Sequence, residues 1–234
     1  MPPPLRWQQA PLLGGPGGGL FDDVREVEDK SGRSIDEFVL VNIEFFTWAS
    51  LGAIRTVYAS VIDGYTVSCE KKGRIGDTSD DQVLNLRPGE WITSATGVKG
   101  ESRYQTGGVC VDSLNLSTTA GSFGVRGNAV RPGRLLDITT HLVVREDTES
   151  DADERKVVRA VCGRAGDSLD AIGFLLGPRI PTTWSPQTHH LYPRRTRDAI
   201  WVAVLASRRP DSLFAKLNAD CLLMLYCAIA AWSV

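Results

Sequence analysis

The sequence is poor in the residues on which most enzyme chemistry depends. Its 234 residues hold three histidines, His141, His189 and His190, and in extended chain the adjacent pair would point its rings apart. No G-x-S-x-G turn and no H-E-x-x-H pattern occurs, so the common hydrolase frames are missing. The five cysteines, Cys69, Cys110, Cys162, Cys221 and Cys227, form no C-x-x-C pair. An odd, scattered set does not make a disulfide framework, so they are read as reduced thiols, and those in strand segments as inert core residues. The chain is therefore read as a non-enzyme that needs no cofactor and no metal.

Charge of one sign is also lacking. Twenty-six Lys and Arg stand against 28 Asp and Glu, a formal charge of -2, so nothing global draws the protein onto a phosphate backbone, and no nucleic-acid partner is expected. Long apolar runs are absent too. The longest candidate, Cys221 to Val234, falls short of the roughly 20 residues that cross a bilayer, which argues against a membrane span. The amino terminus has one early Arg and three prolines but no run of signal-peptide length, and a cytoplasmic or nucleocytoplasmic location is expected. Asn115-Leu116-Ser117 matches a glycosylation sequon, although its alternation reads as a strand.

What the sequence does have is glycine, 23 residues of it, together with 12 prolines and 42% apolar residues. That composition suits a real core built from short strands and many turns. Apolar or β-branched segments occur at 39–43, 54–62, 83–86, 91–95, 109–116, 135–144 and 157–161. Turn chemistry such as Asp63-Gly64, Arg87-Pro88-Gly89, Gly107-Gly108 and Arg131-Pro132-Gly133 bounds them. This spacing predicts an all-β sandwich, barrel or prism, with no long helical periodicity before about residue 197.

Two stretches interrupt the pattern. Glu146 to Glu154 carries six acidic residues in nine positions and reads as an exposed hairpin loop rather than a metal site. After Gly177 the composition changes: Pro178, Pro181, Pro186 and Pro193 suggest a linker, and from Pro178 onward seven basic residues face three acidic ones. Ser212 to Trp232 could form a helix, but it is apolar on every face and would have to be buried, either on the body of the protein or in a homo-oligomer. The domain reading is a flexible leader over 1–13, one β-domain over 14–177, and a Pro-rich linker with an apolar, partly helical extension over 178–234.

Gly14-Gly15-Pro16-Gly17-Gly18-Gly19 fits neither the dinucleotide fingerprint, which would need glycine where Leu20 stands, nor the P-loop, which would need Lys after Gly19. Taken alone it would be a flexible linker. It is paired, however, with Gly163-Arg164-Ala165-Gly166-Asp167-Ser168-Leu169-Asp170-Ala171-Ile172-Gly173, read as a loop between two strands. Between the two lie Leu86-Arg87-Pro88-Gly89-Glu90-Trp91-Ile92 and the segment Ser113 to Thr119 followed by Phe123-Gly124. Four landmarks in this order resemble the jacalin-related lectins, in which G-G-x-G-G-x-x-[FW]-D-D opens the domain and G-R-x-G-x-x-x-D-x-I-G closes it. Residues 36–53 and the acidic region depart from that pattern, and the tail has no counterpart in it.

The resemblance implies a β-prism of three four-stranded antiparallel sheets, with a sugar site where the first and last loops meet. A hexose presents its hydroxyls as a fixed fan, which suits one carboxylate acceptor and several unobstructed backbone N–H donors. By this resemblance Asp170 accepts from two adjacent hydroxyls, Asp167, Ser168 and Leu169 donate backbone N–H groups, Gly18 forms the opposing turn, and Gly166 turns the last loop with positive φ. The Gly166-Asp167-Ser168-Leu169-Asp170 loop is similar to that of the family's mannose binders, so mannose-type glycans or glycoproteins are the expected partners. An interaction module on a lectin scaffold that has lost sugar binding is the alternative.

Overall fold

The structure, a computed structural model, describes residues 7–47, 50–74, 80–101, 108–127, 139–142, 156–180, 189–209, 217 and 219–231. In chain order the elements are β1 (Gln8–Gln9), β2 (Leu13–Gly14), β3 (Gly19–Asp22), α1 (Asp23–Ser31), β4 (Phe38–Thr47), β5 (Leu51–Ser60), β6 (Thr66–Ser68) and β7 (Lys72–Gly73). Then follow β8 (Asp80–Asn85), β9 (Ile92–Glu101), β10 (Val109–Thr118), β11 (Ser122–Arg126), β12 (Thr139–Leu142), β13 (Lys156–Ala165) and β14 (Leu169–Pro178). Two helices close the chain, α2 (Arg194–Ser207) and α3 (Ala219–Ala231). The acidic stretch 146–154 and residues 181–188 of the proline linker lie outside the described residues.

The strands form three antiparallel sheets, β1-β14-β13-β3, β11-β10-β9-β12 and β6-β5-β4-β8. Two of them gain a fifth short strand, because β2 also pairs with β14 and β7 also pairs with β5. The β-prism expected from sequence is therefore present, with two of its edges broken into shorter pieces. Inward residues of all three sheets meet in one core that includes Phe38, Phe45, Leu51, Ile54, Tyr58, Ile92, Leu116, Leu169 and Ile172. From Ile54 on, β5 alternates, with Ile54, Thr56, Tyr58 and Ser60 buried and Arg55, Val57 and Ala59 only partly so, which shows how period-two patterning delivers side chains to one face.

β13 departs from alternation. Seven consecutive residues from Val157 to Gly163 are buried, and a register irregularity lies between Val158 and Ala160. Its inner residues Val158, Ala160 and Val161 join the main core. Val157 instead joins Val61 and Trp91 in a second cluster with Ile180, Tyr192 and Ile200 from the carboxy-terminal extension. A strand covered on both faces has no polar face to show, which explains its continuous apolar sequence. The extension thus packs on the outside of the prism, and Arg195 Nε lies 3.3 Å from the Glu37 carboxylate.

One sequence expectation is corrected here, and one element is added to the strands read from the sequence. Residues 1–13 were expected to be a flexible leader, but from Trp7 on the chain is the edge of a sheet: Gln8 and Gln9 pair with Leu176 and Leu175, and Ala10 and Leu13 are buried. Its apolar residues are too few to read as a strand and gain their burial from β14 and, for Leu13, from β9 at Gly97. Residues 23–31, where no long helical periodicity occurs, form the short helix α1. Asp22 caps it by accepting from Val24 N–H at 3.0 Å, and Gly32 ends it at φ 65 with its N–H on the Glu28 carbonyl. The helix is short and commits little more than Val27 to the core, so no stripe marks it in the sequence.

Arg159 joins distant segments at the junction of prism and extension. Its guanidinium donates to the carbonyls of Phe38 and Pro178, both at 3.1 Å, and lies over the rings of Trp7 and Trp91. Burial lowers its pKa to about 10. It remains a cation at neutral pH, and buried carbonyls and ring faces take the place of water.

Candidate functional site

The last loop is shorter than its motif suggested. β13 runs through Ala165 and β14 begins at Leu169, leaving only Gly166, Asp167 and Ser168 between them, closed by Gly166 N–H to the Ser168 carbonyl at 3.0 Å. Leu169 is fully buried, so only its backbone can serve a ligand. Asp170 belongs to the strand rather than to an exposed loop and is 6% exposed. Gly166 was expected to have positive φ. That conformation falls instead at Gly18, with φ 65, and Gly166 is not among the glycines that adopt it.

The first glycine run wraps directly against Asp170. Gly15 N–H donates to the Asp170 carbonyl at 2.8 Å. A Cβ placed on Gly17 would stand 2.8 Å from Asp170 Oδ1, and one on Gly18 would stand 2.5 Å from Oδ2 and 2.5 Å from the Ala165 carbonyl carbon. No side chain fits at Gly18, whether judged by backbone angle or by space. Thus Gly18, Gly166, Asp167, Ser168, Leu169 and Asp170 come together at one end of the first sheet, where β3 pairs Gly19 with Ala165.

Arg164, absent from the expected contact set, holds the two halves together. Its Nε donates to the Gly17 carbonyl at 2.8 Å and its Nη2 to the Gly18 carbonyl at 3.0 Å. It is the second residue of the closing motif, so its position was visible in the sequence although its role was not. Burial raises the Asp170 pKa, opposed by the Ser168 hydroxyl, the Gly166 N–H and the Arg164 charge, while Asp167 adds to the rise. Asp167 itself is exposed and forms a loose 3.7 Å pair with exposed Arg74, which solvent screens. Asp170, beside exposed backbone turns and with the Ser168 hydroxyl 3.5 Å from its Oδ1, can act as an acceptor for hydroxyls.

The neighbouring acid Asp23 has a different task. Thr56 and Tyr58 donate to its Oδ2 at 2.7 and 2.8 Å, and the Tyr58 hydroxyl also accepts from Val161 N–H at 3.2 Å. In the Phe21-Asp22-Asp23 sequence one carboxylate caps α1 and the next ties that helix to two sheets, so both build the fold. Asp23, Glu26 and Cys69 bring potential metal-ligand atoms within 4.8 Å of one another. Lys30 and Lys72 already neutralise Glu26, and burial pushes the Cys69 thiol up to about 12, which leaves this group poorly suited to a cation.

Three antiparallel sheets in prism arrangement, with a glycine run pressed on an aspartate of the last strand, define a class of β-prism domain. The chain belongs to the jacalin-like lectin domain family, whose model matches residues 11–175. It is similar to a mannose-binding jacalin-related lectin from Ananas comosus, at 24% identity over 74% of this chain and 98% of that one, with a TM-score of 0.52. A mannose-specific jacalin-related lectin from Morus nigra, solved in complex with mannose, is 21% identical over 76% of this chain and 98% of that one, with a TM-score of 0.56. These likenesses show the fold. A mannose/glucose-specific lectin from Parkia platycephala is 27% identical over 103 residues, 44% of this chain, and the match spans a fifth of that relative's length.

Proposed function

We propose that the protein is a carbohydrate-binding lectin that takes mannose or mannose-containing glycans at the junction of its first and last loops. The observation that carries this reading is the apposition of the Gly17-Gly18 backbone and the Asp170 carboxylate, which leaves an acceptor and bare backbone at one open end. Asp170 is the acceptor for two adjacent sugar hydroxyls, Asp167, Ser168 and Leu169 present backbone N–H groups, and Gly18 and Gly166 keep the approach clear. The mannose specificity of the similar lectins supports the choice of sugar.

A monosaccharide site of this shallow kind should bind with Kd near 1 mM, about 4 kcal/mol. Hydrogen bonds to a charged acceptor contribute roughly 1.5–3 kcal/mol, so losing the charge should remove most of the affinity. Because Asp170 is buried, the isosteric Asp170→Asn is a cleaner test than truncation, and it should abolish retention on mannose resin while keeping the parent's circular dichroism. Equal retention by folded Asp170→Asn and parent would refute the role of this carboxylate.

The depth of Asp170, 6% exposed, favours one second reading: a protein-interaction module on this scaffold without sugar binding. A silent glycan array together with capture of a protein that free mannose does not displace would support that module and exclude the lectin.

A further inference from the structure

The carboxy-terminal extension carries a surface that sugar recognition does not use. Thr196, Ile200 and Ala203 of α2 are buried, and Ile200 belongs to the cluster that covers Val61, Trp91 and Val157 of the prism. At 100° per residue the opposite face gathers Arg194, Asp198, Trp201, Val202 and Leu205, and the exposed Arg208 and Arg209 follow directly on the last turn. Trp201, Val202 and Leu205 are 53%, 66% and 56% exposed, an apolar patch on a helix whose other face is already satisfied. Exposed arginines stand at both ends of that patch, and its one acid, Asp198, lies 3.7 Å from Arg194. The α3 helix of the same extension leaves Leu223 47% and Met224 72% exposed.

We propose that this face of α2 docks on an anionic lipid bilayer. Trp201, Val202 and Leu205 enter the headgroup boundary with the helix lying flat, and Arg208 and Arg209 reach lipid phosphates from its carboxy-terminal end. A tryptophan and aliphatic strip bracketed by arginines is the chemistry of an interfacial helix, in which modest apolar insertion and charge attraction act together. The charge selects this occupant over a second copy of the chain, since two such faces pressed together would oppose their arginines. No helix of the described residues is long and apolar enough to cross a membrane.

The test is sedimentation of the full-length chain with vesicles of phosphatidylcholine alone and of phosphatidylcholine with phosphatidylserine. The parent should sediment with the serine-containing vesicles only and be released by high salt. An arginine near such a surface contributes about a fivefold gain, so Arg208→Gln with Arg209→Gln should weaken binding about 30-fold. Trp201→Ser with Leu205→Ser should abolish it. These positions are exposed, so both variants should melt as the parent does and keep its mannose retention, which separates this surface from the sugar site. A parent that ignores both vesicle types, or binding indifferent to both variants, overturns the proposal. Dimerisation that Trp201→Ser abolishes, without lipid binding, gives the face to a second copy and equally overturns it.

Discussion

Arg164 lies across the glycine run, its guanidinium donating to the successive carbonyls of Gly17 and Gly18. A run of small residues has little intrinsic stiffness, and this fork fixes it against the strand that bears Asp170. Arg164→Gln should therefore loosen the first loop without unfolding the prism. We expect mannose affinity to fall about fivefold, near 1 kcal/mol for partly exposed charged hydrogen bonds, with faster proteolysis between Gly17 and Leu20. Unchanged affinity and unchanged cleavage would remove Arg164 from any positioning role.

Gly18→Ala offers a second handle on the same place. With φ 65 and a Cβ that would stand 2.5 Å from both Asp170 Oδ2 and the Ala165 backbone, the substitution should shift Asp170 itself. A non-glycine residue in that conformation costs about 1–2 kcal/mol before the collision is counted, so a lower melting temperature should accompany loss of sugar retention. A variant that melts and binds like the parent would show that the loop relaxes freely.

Asp23 should make stability depend on pH in an uncommon direction. Burial raises its pKa from 3.8 to about 6, even though the Thr56 and Tyr58 hydroxyls favour the charged form. The folded chain therefore holds this proton more tightly than the unfolded one. The stabilisation is fully present below about pH 4 and is lost as pH rises through 6, about 3 kcal/mol for a shift of two units. Asp23→Asn removes that dependence. In urea titrations from about pH 4 to pH 7 the variant should gain about 3 kcal/mol relative to the parent, whereas parallel curves would disprove the shift.

The thiols should divide by burial. Cys69 and Cys162 have pKa values pushed up to about 12 and 11 by burial, Cys110 is raised in the same way, and Cys221 is exposed. Iodoacetamide on the folded protein should label Cys221 first and leave those three untouched until denaturant is added. Dithiothreitol should not move the melting temperature, because the buried Cys69, Cys110 and Cys162 are thiols, whereas a native bridge would contribute roughly 2–4 kcal/mol.

Stopping the chain at Gly177 should damage the prism as well as remove the extension. Val61, Trp91 and Val157 would lose their cover, and buried Arg159 would lose the Pro178 carbonyl. An unsatisfied buried charged donor costs at least 1–3 kcal/mol, so the shortened protein should melt lower and aggregate. Equal melting and solubility would mean that the second cluster contributes little.

The sequence was most legible where turns and β-branched residues alternate, and the segments near 39–43, 54–62, 109–116 and 157–161 all fall on strands. It was also legible at Gly18 and Asp170, whose spacing in two short motifs survived without any knowledge of the contact between them. It was least legible where burial comes from partners far along the chain. Nothing local marks Gln8 and Gln9 as a sheet edge, nothing in the charge of Asp23 reveals the two hydroxyls around it, and α1 is capped at both ends without a long apolar stripe. The polar backbone contacts of Arg164 and Arg159 are equally silent in one dimension.

Gln8 pairs with Leu176, and Gly14 pairs with Ala171. The sheet that bears Gly18 and Asp170 is thus closed by the two ends of the prism, across almost its whole length. Loop closure of that span must precede any reward from its contacts, so this sheet belongs to the slow, non-local part of the folding reaction. During synthesis the glycine run leaves the ribosome long before β13 and β14 exist, and it waits without a partner. The proposed recognition surface is therefore complete only once β14 is made, and a chain interrupted between β12 and β14 lacks Asp170 whatever else it folds.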